Sequence, residues 1–296
     1  MQKSLAIIGA GRMGRALGLR FRELGWKIGS VVTRNLESAR KAVRFIGAGQ
    51  AHAVAARGIL ASRVILIAVP DDRVVETARE LARIGAEELR DKVVLHTSGA
   101  LDSSALSELR KHGAAVGGMH PLQTFSGVAV PSLEGRVFAI EGDAVAVRTA
   151  RQMTRALGGS PAHIEGNKKI LYHAAASMAT GQALALQEAS TQLLISIGMN
   201  RREAVRALLP LTGQVLENFE RLGPRAAWTG PLSRGDYKVI AAHQEALLDS
   251  PPEFQEAYES LNCLAARTLA QNPSEVLGEL GKTSVGKRAK IKGGDA

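Results

Sequence analysis

Leu5-Ala6-Ile7-Ile8-Gly9-Ala10-Gly11-Arg12-Met13-Gly14 is the stretch on which the fold turns. An apolar run of strand length is followed at once by three glycines spaced G-x-G-x-x-G, and these open a segment, Gly11–Leu24, whose apolar residues recur at helical spacing. Strand, glycine turn and helix together form the context in which that spacing carries meaning. The first glycine permits the tight turn, the second lets backbone approach a pyrophosphate, and the third lets helix and strand pack closely. The helix N-terminus then offers free N–H groups and the positive end of its dipole to phosphates. Gly9, Ala10, Gly11, Arg12, Met13 and Gly14 are therefore expected to hold a dinucleotide.

Outward from this turn, short apolar runs alternate with amphipathic stretches. Leu5–Ile8, Ile28–Val32, Val64–Val69, Val93–His96, Ala114–Gly118 and Arg136–Ile140 read as strands. Gly11–Leu24, Leu36–Phe45, Arg73–Ile84, Ser103–Lys111 and Ala144–Leu157 read as the helices between and after them. Such alternation signals βαβ units, and right-handed crossovers should wind them into one Rossmann-like, doubly wound parallel sheet. From about Gly166 the strands disappear. Asn167 can cap a helix from Lys168 to about Ile197, Arg201–Leu222 continues the pattern, and Tyr237–Leu248 and Pro252–Ala270 complete an all-α C-terminal half. The Gly/Pro-punctuated segment 223–236 is longer than a mere connection requires. The expected division is a cofactor domain over 1–165, a helical substrate and dimerisation domain over 166–271, and a basic, loosely ordered tail over 272–296.

Bulk properties agree with a folded chain of two domains. The 296 residues exceed the usual single-domain size. Apolar residues make up 45% and charged residues 22%, too apolar for a disordered chain. Cys263 stands alone, so no intrachain disulfide forms, and without a Cys/His cluster no metal site is expected; a reducing cytoplasm fits. The apolar run at the N-terminus is too short for a signal peptide, and the uncharged stretch Ile170–Gln187 is diluted by polar residues and alanine, which argues against a membrane span. The net charge of +10 is scattered, with a local excess only at Lys282, Lys287, Arg288, Lys290 and Lys292. Aromatics are 4%, which argues against a base-stacking surface, so nucleic acid is not the expected partner.

An NAD-type site would place an acidic residue at the end of the second strand to hydrogen-bond the ribose. Here Val32 is followed by Thr33-Arg34-Asn35, a hydroxyl, a guanidinium and an amide where a 2′-phosphate would lie, which points to NADP(H). Val69-Pro70-Asp71 and Ser98 stand at the carboxyl ends of strands and are expected to line the cofactor. Lys169 and His173 are four residues apart on one helix and share a face. A ketone or imine that accepts hydride needs a proton donor beside it, and either residue can serve.

The motifs GAGRMG, HTSGAL, GMHPLQTF, KxxYHAAA and TGPLSRGD, in this order, resemble a family of oxidoreductases that pair a Rossmann-like domain with a helical C-terminal domain of unknown function. More distantly the layout is similar to the superfamily of 6-phosphogluconate dehydrogenase, β-hydroxyacid dehydrogenase, pyrroline-carboxylate reductase and ketopantoate reductase. The resemblance implies Lys169 and His173 as catalytic residues, with Lys169 matching the superfamily's lysine as general acid. His173 stands where β-hydroxyacid dehydrogenases carry asparagine. The resemblance further implies Ser98 and Gly99 in substrate binding, with His120, Gln123, Arg234 and Asp236 as further substrate-side residues. Arg234 fits a carboxylate or an ion pair with Asp236.

The function so implied is NADPH-dependent reduction of a small carbonyl acid, 2-dehydropantoate to pantoate being the foremost example. An imine reductase of the pyrroline-carboxylate reductase type is the enzymatic alternative, and a non-catalytic NADP-binding sensor or scaffold the alternative of another class. The Lys168–Ile197 helix carries more small-residue and apolar surface than one monomer's domain readily covers, which suggests a homodimer.

Overall fold

The computed structural model describes residues 3–54 and 57–283. The chain divides into two compact units, Met1–Ala179 and Thr180–Ala296.

The first unit is built on an eight-stranded sheet: β1 (Ser4–Ile8), β2 (Lys27–Val32), β3 (Gln50–His52), β4 (Val64–Ile67), β5 (Val93–His96), β6 (Ala115–Pro121), β7 (Val137–Gly142) and β8 (Ser160–His163). Its order is β3-β2-β1-β4-β5-β6-β7-β8, and every pairing is parallel except β6 with β7. β1, β4 and β5 are buried along their whole length, which is why they read as unbroken apolar runs. The helices are α1 (Arg12–Glu23), α2 (Leu36–Ile46), α3 (Asp71–Ile84), α4 (Ser107–Lys111), α5 (Ala144–Ala156) and α6 (Lys169–Ser177). Two cores result: Leu5, Leu17, Phe21, Leu66 and Phe138 belong to one, and Ile8, Ile65, Ile67, Val74 and Leu81 to the other.

The chain runs from β1 through β2 to β3 on one side, then returns to β4 on the other side of β1. Between β1 and β4 the direction of winding reverses, and there the carboxyl ends of the strands open a crevice suited to a ligand.

Several boundaries differ from the sequence reading. β4 ends at Ile67 and α3 starts at Asp71, because Pro70 sits in the extended conformation that its ring favours and acts as the N-cap. β3 and β8 carry no long apolar run, being short and only half-buried or exposed, and so give no strand signal. The antiparallel β6–β7 pair brings Gly117 and Gly118 opposite Gly142 and Glu141.

The second unit is helical: α7 (Ala183–Ser196), α8 (Arg201–Leu222), α9 (Pro224–Ala227), α10 (Tyr237–Ala246), α11 (Pro252–Leu269) and α12 (Pro273–Thr283). The helix expected over Lys168–Ile197 is not uniform, since a π-helical turn, Met178–Gln182, separates α6 from α7 and contains the division between the units. Asn200 caps α8 and Glu203 answers it, a reciprocal capping box. Leu232, Ile240, Ala266 and Leu280 form a small core. α12 occupies the start of the segment read as a loose tail, while Lys287, Arg288, Lys290 and Lys292 lie outside the described residues. No helix among the described residues is long and apolar enough to cross a membrane.

Candidate functional site

The glycine turn joins β1 to α1. Gly9 has φ of +89°, and a Cβ there would stand 2.5 Å from the Ala68 carbonyl oxygen and 2.7 Å from Val69 Cγ1. At Gly14 a Cβ would lie 2.1 Å from the Gly9 carbonyl oxygen, so only glycine lets helix and strand meet. Gly11 differs: no atom lies within 4 Å of where its Cβ would be. No side chain caps α1 and its first turn holds no acidic residue. The open face at Gly11 and the uncapped N–H groups behind it fit a pyrophosphate. Ala10 and Met13 pack against the core beneath, while the Arg12 side chain lies against Gly127.

At the carboxyl end of β2, Arg34 is exposed and has no hydrogen bond or ion pair among the described residues. Thr33 donates its hydroxyl to the Asn35 carbonyl, and the Asn35 side chain caps α2 by accepting from Ser38 N–H. Of the three residues, Arg34 therefore keeps its polar group free for an anion.

A second group of side chains gathers at the carboxyl ends of β5 and β6. Lys169 is fully buried; its ammonium donates to the Ser98 carbonyl oxygen at 2.9 Å and stands 3.8 Å from Glu141 Oε1. Glu141, itself buried, accepts from Ser103 N–H through its other oxygen. His96 is fully buried, and its Nδ1 accepts from Ser98 N–H at 3.2 Å, which leaves the ring proton on Nε2, 3.8 Å from Glu141 Oε1. Gly118 makes this possible: a Cβ there would stand 2.5 Å from Glu141 Oε1 and 2.8 Å from Lys169 Nζ. Burial, followed by the Lys169 charge, pushes the His96 imidazole down to about 3, so the ring is neutral. Burial also lowers Lys169, against the opposing pull of Glu141, Asp102 and Asp71.

Beside this cluster lie three rings. His120 Nδ1 is 2.8 Å from the Tyr172 hydroxyl, and the rings of His120 and His173 meet edge to face at 5.9 Å. A Cβ on Gly99 would stand 2.5 Å from His173 Nδ1 and 2.9 Å from His120 Nε2. Glycine there gives both rings their room. Burial, helped by the Lys169 and His173 charges, takes His120 down to about 4, and burial takes the Tyr172 hydroxyl up to about 12.

The residues expected from sequence thus divide. Lys169, His173, Ser98, Gly99 and His120 come together in one cluster. The Ser98 hydroxyl is used within its own turn, accepting from Ala100 and Leu101 N–H, and Gln123 spends its amide on the Ser132 carbonyl and Thr124 N–H. Arg234 and Asp236 lie in the helical unit and pair with each other at 3.0 Å, the arginine exposed and the aspartate partly buried. His96, Glu141 and Tyr172 escaped the sequence reading as site residues. Tyr172 lies in the quoted KxxYHAAA motif and His96 in HTSGAL, so both were within reach, whereas Glu141 has no sequence signal.

A Rossmann-like domain matches residues 1–121, and a domain of unknown function, DUF2520, matches residues 136–264. The chain pairs a Rossmann-like domain with a DUF2520 domain. No curated protein matches the sequence. Among solved structures, the fold is similar to a provisionally named NADP oxidoreductase from Bacteroides fragilis, with a TM-score of 0.72 at 22% identity, covering 88% of this chain and 96% of that one. It is also similar to the Aspergillus terreus reductive aminase in complex with NADPH and ethyl levulinate, with a TM-score of 0.67, 17% identity and 94% and 99% of the two chains covered. A Streptomyces aurantiacus imine reductase gives a TM-score of 0.62 at 16% identity, over 93% of this chain and 98% of that one. At these identities the likeness concerns the fold.

Proposed function

We propose that this protein is an NADPH-dependent reductase of a small carbonyl or imine compound. The observation that carries the reading is the cradle at Gly11, open and uncapped, with the unpaired Arg34 at the neighbouring strand end. A phosphate held on helix N–H groups and a second one met by a guanidinium describe NADP(H) better than NAD(H). Gly9, Gly11 and Gly14 would hold the pyrophosphate, Arg34 the 2′-phosphate, and Val69, Pro70 and Asp71 would border the cofactor beyond β4. Bound there, the reduced nicotinamide supplies a hydride. The chain's own contribution is the polar cluster of Lys169, His120, Tyr172 and His173 on the same edge of the sheet.

Two substrate classes fit. A small 2-keto acid, with 2-dehydropantoate first among them, needs one donor for its oxygen. A cyclic imine needs the same at nitrogen, and the reductive aminase and imine reductase among the similar folds favour it. Purified protein, NADPH and a panel of 2-keto acids and cyclic imines, followed by NADPH absorbance, separates the two. Oxidation of NADPH by no member of the panel would refute the reductase and leave a binding protein.

We further propose a homodimer formed through the helical unit. Thr191 is the one buried residue of α7 and Ala204 that of α8, while Leu184, Leu211, Leu216 and Phe219 are each more than half exposed. Apolar surface of this extent on two adjacent helices calls for a covering partner.

A further inference from the structure

We propose that the Tyr172 hydroxyl, held on His120 Nδ1, is the group that gives the proton to the substrate, and that Lys169 is a positioning residue. The inference rests on the reductase reading above and assigns the proton-donating group within it.

Lys169 has no route to a substrate. It is fully buried, its ammonium donates to the Ser98 carbonyl and faces Glu141, and reaching outward would strand that carboxylate without its partner. What Lys169 does is fix the backbone at Ser98, one residue from Gly99, against which the rings of His120 and His173 pack. Tyr172, by contrast, is only half-buried, with its hydroxyl on the His120 ring. His173 Nδ1 is buried and makes no hydrogen bond, a polar atom awaiting a partner beside the same glycine.

The place is also right. Parallel β1, β4, β5 and β6 bring Gly9–Gly11, Gly99 and His120 to one edge of the sheet. With its 2′-phosphate end at β2 and its pyrophosphate at β1, a dinucleotide extends in the direction of β4 and β5.

The proton count closes. As hydride adds to the carbon of C=O or C=N, the Tyr172 O–H bond breaks and the new O–H or N–H bond of the product forms. The substrate is reduced and NADPH oxidised. His120 Nδ1 carries the ring proton and donates its hydrogen bond to the Tyr172 oxygen, and the phenolate recovers its proton from solvent, one per turnover, so the ring keeps one neutral tautomer throughout. A phenol kept protonated up to about 12 and an imidazole kept neutral down to about 4 hold this arrangement across the ordinary pH range.

The test uses the full chain with NADPH and whichever panel compound wild type reduces. Tyr172→Phe is expected to lower kcat by about 10²–10⁴, the range for a positioned acid, with the NADPH dissociation constant unchanged as evidence of an intact fold. For Lys169, an activity-independent readout is the NMR titration of the His120 ring. Lys169→Met removes a charge that holds this ring down, so His120 should titrate at higher pH than in wild type. Tyr172→Phe that keeps kcat within about threefold, or a His120 titration unmoved by Lys169→Met, would overturn the proposal while the reductase stands. Failure of wild type to oxidise NADPH with any panel member would overturn both.

Discussion

Gly11 and Gly14 stand three residues apart and should respond to the same substitution in opposite ways. Gly14→Ala drives a methyl onto the Gly9 carbonyl oxygen, a backbone atom that cannot swing aside, so the fold must shift. A loss on the order of 1–3 kcal/mol is expected in urea unfolding, the usual cost of overpacking. Gly11→Ala meets nothing, so its unfolding midpoint should match wild type, while its methyl stands where the pyrophosphate would approach and NADPH binding should weaken at least tenfold. Gly11→Ala with undiminished NADPH affinity would remove the phosphate from this turn. These residues were legible in the sequence because each acts on neighbours within the same strand–turn–helix unit. The second cluster was legible only in part. Lys169 and His173 show as a helical pair, but the Lys169–Ser98 bond spans 71 positions, and Glu141 reaches the site through a strand pairing that spacing does not reveal.

At the scale of elements, α6 is tied to the sheet by the buried Lys169 ammonium and by the Tyr172–His120 contact. Removing one member of a buried charge pair leaves the other uncompensated, at a cost of roughly 3–5 kcal/mol. Lys169→Met should therefore lower stability by about that amount, and a double variant Lys169→Met/Glu141→Gln should recover part of it. A Lys169→Met protein as stable as wild type in urea would show that the ammonium is not the anchor. Elements with strong periodicity, such as α1 and α8, were readable from sequence to within a residue or two. β3 and β8 were not, since three or four residues without a buried apolar run give no signal. The π-helical turn at Met178–Gln182 was equally hidden, because its residues are ordinary helix formers apart from Gly181 and Thr180.

At the scale of the molecule, two neutral histidines in the first unit couple its stability to pH. His96 and His120 resist protonation down to about 3 and about 4, with Lys169 and, for His120, His173 as the facing bases and Glu141 and Asp102 the nearby acids. The unfolded chain takes up these protons near pH 6.5. Between pH 6.5 and 4 it binds more protons than the folded protein, so stability is full above pH 6.5 and falls as the pH drops. A loss on the order of 2–4 kcal/mol at pH 5 relative to pH 7.5 is expected, and identical urea midpoints at the two pH values would contradict it. Light scattering should give twice the chain mass of 31.3 kDa, and a monomer at micromolar concentration would argue against the dimer.

If the edge of the sheet from β2 to β5 holds NADP(H), calorimetric titration of the purified protein with NADPH and NADH will show it. A guanidinium on a phosphate is a charge-assisted contact of about 1.5–3 kcal/mol, or roughly 10- to 150-fold in affinity. NADPH should bind tighter than NADH by about that factor, and Arg34→Asp should shift the preference toward NADH. Equal affinities, tighter NADH binding, or no heat with either cofactor would contradict it.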